Sequence, residues 1–87
     1  MELLNFGNAL ALLKEGARVA RLGWNGKGMW LRLVNPYLDT HFQVTETPIA
    51  EGTLLPWIGM KTADNGFVPW LASQTDVLAE DWVIVEV

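Results

Sequence analysis

Two segments hold most of the side chains that could do chemistry. Residues 23–29 read Gly-Trp-Asn-Gly-Lys-Gly-Met, and residues 68–76 read Val-Pro-Trp-Leu-Ala-Ser-Gln-Thr-Asp. Each sets a tryptophan beside small residues rich in hydrogen-bonding groups. A wide flat ring flanked by directed polar contacts suits a ligand with a planar base and a polar sugar or phosphate. In the first segment, Gly23, Gly26 and Gly28 let the backbone approach a ligand closely. Successive N–H groups in such a turn can form an anion-binding nest, and Lys27 adds a mobile positive charge. The spacing is not that of a nucleotide-hydrolase phosphate loop, which needs G-x-x-x-x-G-K-[ST]. In the second segment, Asp76 is suited to accept from a ribose hydroxyl or a base amine, and Ser73 and Thr75 to hold a sugar or phosphate. Both segments also have a plainer reading. The first is then a tight connection with Trp24 folded into the core. The second is a loop whose hydroxyl and amide groups fix their own backbone.

The side chains favour binding over catalysis. Cysteine is absent and histidine occurs once. With no second histidine and no cysteine, neither a zinc site nor a Ser-His-Asp triad is expected around His41. Of the five tryptophans, Trp30, Trp57 and Trp82 lie in strand-like runs and read as core or subunit interface. Trp24 and Trp70 lie beside loops and are the stacking candidates. Glu80 and Asp81 read as a solvated turn, and Lys14 and Glu15 as the outer face of a helix.

A chain of 87 residues is expected to form a single domain over residues 1–87. Such a small core is marginal and has no disulfide to staple it. Hydrophobic residues make up 51% of the chain and charged residues 18%, a balance that favours a homo-oligomer. The net charge of −4 argues against binding long nucleic acid, which needs a basic face. It leaves room for a small anionic ligand held by local donors. The first residues show neither a basic region nor a long apolar run, and no stretch approaches the ~20 apolar residues of a membrane span. The expected location is the cytoplasm, with no membrane partner and no cofactor or metal.

The elements that must position these segments follow from periodicity. Phe6, Ala9, Leu10 and Leu13 form one helical stripe, widened by Leu12, with Asn5 as N-cap and Gly16 at a left-handed C-terminal position. Residues 18–21 and 29–34 read as strands joined by the glycine-rich loop, with Trp30, Arg32 and Val34 on one face. Asn35-Pro36 ends the second. Residues 41–45 could form a strand, and Pro48, Gly52 and Pro56 make the surrounding region a loop or edge excursion. Residues 57–62 and 67–70 read as a hairpin around Asn65-Gly66, with Pro69 at an edge or bulge. Residues 73–81 read as a loop with one helical turn capped by Ser73 or Thr75, and residues 82–87 as a last strand. The sum is α+β: an N-terminal helix packed on a mainly antiparallel sheet.

In order along the chain, the helix residues 5–10, Gly16 with residues 18–21, the Gly-Trp-Asn-Gly-Lys-Gly-Met run, residues 60–63, residues 68–76 and residues 78–82 together resemble a small phage family, Thoeris anti-defence 2. The resemblance covers most of both ends, while residues 36–56 are variable. It implies a molecular sponge that binds and sequesters a cyclic ADP-ribose isomer, the glycocyclic form made as an immune signal by a bacterial TIR-domain protein. It also implies a homotetramer with pockets between protomers. In some members, separate sites hold cyclic oligonucleotide signals of a second defence system, CBASS. Carried onto this chain, Phe6, Trp24 and Asn25 form one wall of the pocket. Trp70, Ala72, Ser73, Thr75 and Asp76 form the facing wall, from another protomer, and Met60 lines the floor. Arg18, Gly26, Lys27 and Gly28 are the candidates for the cyclic oligonucleotide site.

Two other functions fit the residues. One is an enzyme cleaving the cyclic nucleotide, which needs a placed general base. The other is a protein–protein interaction module anchored by exposed tryptophans.

Overall fold

The computed structural model describes residues 2–24, 27–36 and 54–86. The expected strand at residues 41–45, His41 and the turn residues Pro48 and Gly52 lie outside the described residues, as do Asn25 and Gly26.

Helix α1 spans Phe6–Lys14. Asn5 caps it, its side-chain oxygen accepting from the Asn8 N–H at 2.8 Å. Gly16 takes φ 96° just past its end, a conformation that carries no Cβ penalty in glycine. Among the described residues, five strands follow in one antiparallel sheet: β1 (Arg18–Arg21), β2 (Trp30–Val34), β3 (Trp57–Lys61), β4 (Phe67–Pro69) and β5 (Trp82–Val85). Their spatial order is β4-β3-β2-β1-β5. A five-residue helix, α2 (Gln74–Leu78), precedes β5. The α+β expectation therefore holds: one main helix on an antiparallel sheet. Pro69 lies on β4, at the sheet edge, where its missing N–H costs no ladder bond. In the β3–β4 hairpin Asn65 alone takes a positive φ, 74°. Asn65 N–H donates to the Thr62 carbonyl at 3.0 Å, and Thr62 N–H to the Gly66 carbonyl at 2.9 Å. The loop is thus the three-residue form with a left-handed last residue.

Register sorts the side chains onto two faces. Val19 pairs with Leu31 and with Ile84, and Leu31 with Met60. This row faces α1. Ala9, Leu13, Val19, Leu31 and Trp82 are fully buried there, and Phe6, Leu10, Leu12, Trp24, Leu33, Ile58, Met60 and Trp70 pack around them. Trp30, Arg32 and Val34 share the opposite face, as expected. On that face Phe67 lies between Trp30 and Trp57, with ring centroids 6.3 and 6.0 Å away. Phe67 covers Gly59, where an added Cβ would sit 2.4 Å from its ring. Trp30 and Trp57 are half-buried, whereas Trp82 is core.

β5 is an outer strand of the sheet, and Leu4 bridges to it at Trp82. Leu4 N–H donates to the Trp82 carbonyl at 2.8 Å, and Trp82 N–H to the Leu4 carbonyl at 3.1 Å. Beside that edge Glu2, Leu4, Ile84 and Glu86 line a shallow groove of about 320 Å³.

Candidate functional site

Three of the candidate aromatics converge on one buried ring. The Leu4 bridge fixes the start of α1 over β5, and Phe6, two residues on, meets Trp82 with centroids 5.4 Å apart. Trp24 ends a 3₁₀ turn, Leu22–Trp24, where a loop was expected. Its ring stands edge-on to Trp82 at 5.5 Å. Trp70 leaves β4 with its N–H on the Ile58 carbonyl at 2.9 Å. It meets Trp82 at 6.1 Å and Phe6 at 6.1 Å. Phe6, Trp24 and Trp70 are all half-buried. Trp24 and Trp70 stand edge-on to Trp82, and Phe6 is tilted against it, offset geometries that aromatic pairs favour. Resemblance implied that Trp70 faces the Phe6–Trp24 wall from another protomer. Within one chain, the three already stand around a shared neighbour.

The polar group sits at the start of α2. Ser73 Oγ accepts from the Asp76 N–H, and Asp76 Oδ2 accepts from the Ser73 N–H, both at 3.1 Å, a capping box. Ser73 Oγ also donates to Asp76 Oδ2 at 2.8 Å and lies 2.8 Å from Thr75 Oγ1. A hydroxyl has one proton. With the Ser73 proton directed to Asp76, Thr75 donates to Ser73 and keeps its lone pairs outward. Ser73 Oγ and Asp76 Oδ2 are then saturated within the cluster, which leaves acceptor capacity on Thr75 Oγ1 and on Asp76 Oδ1 beside its bond to Arg21. Trp82 Nε1 donates to the Asp76 carbonyl at 3.0 Å, tying this helix to the aromatic group. Ala72, Ser73, Gln74, Val77 and Leu78 line a concavity of about 280 Å³ along α2.

Arg21, Asp81 and Trp82 were not singled out as site residues, and Asp81 is not the solvated turn expected of it. Arg21 Nε donates to Asp81 Oδ1 and Arg21 Nη1 to Asp76 Oδ1, each at 2.9 Å. These side chains are 21%, 28% and 14% exposed for Arg21, Asp81 and Asp76. Asp81 Oδ2 accepts from the Gly23 N–H at 2.9 Å. A Cβ at Gly23 would lie 3.1 Å from that oxygen, so a bare backbone suits the turn. The hydrogen bond from Arg21 is the main cause holding the Asp81 carboxyl below its ordinary pKa. Burial pushes the Asp76 carboxyl up, and the hydrogen bonds from Arg21 and Ser73 outweigh it, leaving a net lowering. Both groups are held as anions, and Arg21 is raised, first by Asp81 and then by Asp76.

The remaining candidates lie elsewhere. Met60 sits on β3 opposite Leu31 and Val68, packed against the core. Ala72 is half-buried beside Ser73. Arg18 lies on the face away from α1, its guanidinium 4.2 Å from the centre of the Trp30 ring, a cation–π distance. Lys61 pairs with Trp30 in register and donates to the Gly28 carbonyl at 3.0 Å. Gly28 takes φ 78°, and Lys27 beside it is exposed. Arg18 and Gly28 thus reach one corner of the far face through Trp30 and Lys61. Neither of these linking residues was assigned to a ligand site from sequence. The signal for Lys61 was its strand position opposite a tryptophan, visible only once register is known.

A family model described as the Thoeris anti-defense 2-like domain matches residues 4–85. The chain is also similar to Thoeris anti-defense 2 of Bacillus phage SP01. The two are 48% identical over 85 residues, which cover 94% of each chain.

Proposed function

Because the chain belongs to the Thoeris anti-defense 2-like family, we propose that it works against Thoeris as a sponge. It binds a cyclic ADP-ribose-type signal, the glycocyclic form, and releases it unchanged on unfolding. One observation carries this reading: three rings, Phe6, Trp24 and Trp70, gather on Trp82 beside the acceptor cluster of Ser73, Thr75 and Asp76. Rings take a base by stacking, and the remaining acceptor capacity, on Thr75 Oγ1 and Asp76 Oδ1, takes a ribose hydroxyl or a base amine, which donates. By the family resemblance, Asn25 is assigned to the same wall as Trp24. Ala72 and Met60 complete the proposed lining.

The carboxylates support holding rather than cleavage. Asp76 and Asp81 are both fixed on Arg21 with lowered pKa values. A general base or acid works best with a pKa near the operating pH. A homotetramer fits the exposed apolar surface next to the site: Leu71 is 91% exposed and Leu78 75%. Among the described residues, no helix is long and apolar enough to cross a membrane. Action in the cytoplasm of the infected host suits a soluble signal.

The far-face corner supports a second ligand. Arg18 stacked on Trp30, with Lys27, Lys61 and the loop carrying Gly26 and Gly28, offers cationic and stacking groups to a cyclic oligonucleotide of the CBASS type.

The deciding experiment incubates the protein with the cyclic ADP-ribose isomer, removes free ligand, denatures the protein and analyses the small molecule. A sponge depletes the ligand and returns it intact. Recovery of a hydrolysed product would make the chain an enzyme, and no depletion would leave an interaction module.

A further inference from the structure

The two walls of the site are distant in sequence, with Trp24 on one and residues 73–76 on the other. One side chain spans them. Arg21 closes β1 immediately before the Trp24 turn, and its guanidinium donates to Asp76 Oδ1 and to Asp81 Oδ1. Asp81 Oδ2 holds the Gly23 N–H, while Asp76 Oδ2 holds the Ser73 N–H and hydroxyl. An unbroken path therefore runs from the Gly23 amide through Asp81, Arg21 and Asp76 to Ser73. Every carboxylate oxygen on it is engaged. A guanidinium is planar, and its donors leave at fixed angles. Charge-assisted bonds of this kind are short and directional. The fork fixes not only that the two aspartates approach, but how far apart and at what angle they stand.

We propose that Arg21 is the positioning residue that holds the Trp24 wall and the Ser73–Thr75–Asp76 wall at one separation, and so gives the site its preference for a ring-closed over an open-chain ligand. The proposal rests on the sponge reading for the identity of the ligand. A ring-closed dinucleotide has few torsions with which to follow a displaced wall. An open chain can follow, and it loses that freedom on binding wherever the walls stand. Loosening the fork therefore harms the ring-closed ligand selectively, whereas a general loss of folded protein weakens both alike.

The test compares the whole protein with Arg21→Lys, which keeps the charge and loses the fork, and with Asp81→Asn, a milder variant that keeps the shape. Affinities for the ring-closed ADP-ribose isomer and for linear ADP-ribose are measured by calorimetry, with melting temperature and mass on the same samples. In both variants the ring-closed ligand should weaken by about tenfold, the equivalent of ~1.4 kcal/mol, with little change for the linear one, so the preference narrows. An unchanged preference in a folded variant overturns the proposal. If Arg21→Lys does not fold, Asp81→Asn decides by the same ratio. Amide exchange without ligand separates this proposal from the sponge reading. Loss of the fork should speed exchange at both Gly23 and Ser73, one on each wall. Faster exchange on one wall alone would refute the clamp even if the wild type binds. Wild-type protein that binds neither nucleotide would refute the sponge and the ring preference, leaving exchange to judge the clamp.

Discussion

The indole Nε1 of Trp82 donates to the main-chain carbonyl of Asp76 at 3.0 Å. The buried ring that seats Phe6, Trp24 and Trp70 is thereby joined to the helix that carries the hydroxyls. One hydrogen bond thus ties the cluster of rings to the capped helix.

Trp82→Phe keeps an aromatic ring in the core but removes the indole donor from the Asp76 carbonyl, which keeps only the Ala79 N–H at 3.4 Å. Losing a hydrogen bond of this kind costs about 0.5–1.5 kcal/mol. Urea unfolding should show that loss, and Trp82→Ala should show a larger one, about 3–5 kcal/mol for removing a buried Trp. Ligand affinity should fall in Trp82→Phe in spite of its distance from Thr75. A variant as stable and as tightly binding as wild type would mean that the Trp82–Asp76 bond orients nothing.

Trp24→Ala removes a ring that stands edge-on to Trp82. If that ring also stacks on the ligand, affinity should fall by about 1–3 kcal/mol, the scale of a lost base–aromatic stack. Titration calorimetry with the cyclic ADP-ribose isomer measures this. Light scattering on the same samples should still give a mass near four chains of 9.7 kDa. A wild-type monomer would count against the assembly, and unchanged affinity would remove Trp24 from the site.

Thr75→Val and Asp76→Ala separate ligand contact from scaffold. The Thr75 hydroxyl lies outside the capping box, so Thr75→Val should weaken binding with little change in unfolding free energy. Asp76→Ala removes the carboxylate half of the capping box and the bond to Arg21, while Ser73 Oγ still accepts from the residue-76 N–H. Its affinity should fall, and its stability by about 1.5–3 kcal/mol, the scale of hydrogen bonds to a charged group. Equal affinity for Thr75→Val and wild type would assign the hydroxyl to the loop alone.

Gly26→Ala with Gly28→Ala should weaken a cyclic oligonucleotide and spare the ADP-ribose signal. Gly28 stands at φ 78°, which alanine adopts with strain, and its carbonyl holds Lys61. Parallel titrations with the two ligands check this. Equal loss of both would point to one shared site or a folding defect.

Stability should fall in acid in a way that Arg21 governs. Asp76 and Asp81 have folded-state pKa values lowered from the ordinary one, near 3.9. A lowered carboxylate pKa stabilises the folded state fully above the unfolded value, and that contribution disappears as pH falls through the folded value. The free energy of unfolding should therefore be flat in this contribution at neutral pH and decline below about pH 4. Asp81→Asn should reduce the slope of that decline in urea titrations at stepped pH. An identical slope would mean that the Arg21–Asp81 pair does not contribute to acid sensitivity.

The local parts of this fold were legible in the residues. Asn5, the 6-9-10-13 stripe and Gly16 define α1 because capping and helical period are short-range, and Asn65-Gly66 marks its hairpin for the same reason. Trp24 and Trp70 stood out because each flanks a loop rich in small or polar residues. Arg21, Asp81 and Trp82 did not. Arg21 lies 55 residues from Asp76 and 60 from Asp81, and only the pairing of β1 with β5 brings them together. Asp81 beside Glu80 looks like any solvated turn until Arg21 and the Gly23 amide are found against it. Lys61 was likewise hidden until register set it opposite Trp30.

Among the described residues, the Leu4 bridge leaves the outer strand β5 only partly covered. By alternation Ile84 turns its peptide groups the same way as Trp82, past the end of the bridge, and its side chain is 48% exposed. An open sheet edge is a template for fibril growth. Here two acidic residues, Glu2 and Glu86, flank it, and charges on a sheet edge disfavour its pairing with another chain. The edge is thereby guarded against runaway polymerisation. Replacing both acids with glutamine would trade that colloidal safety for fibres.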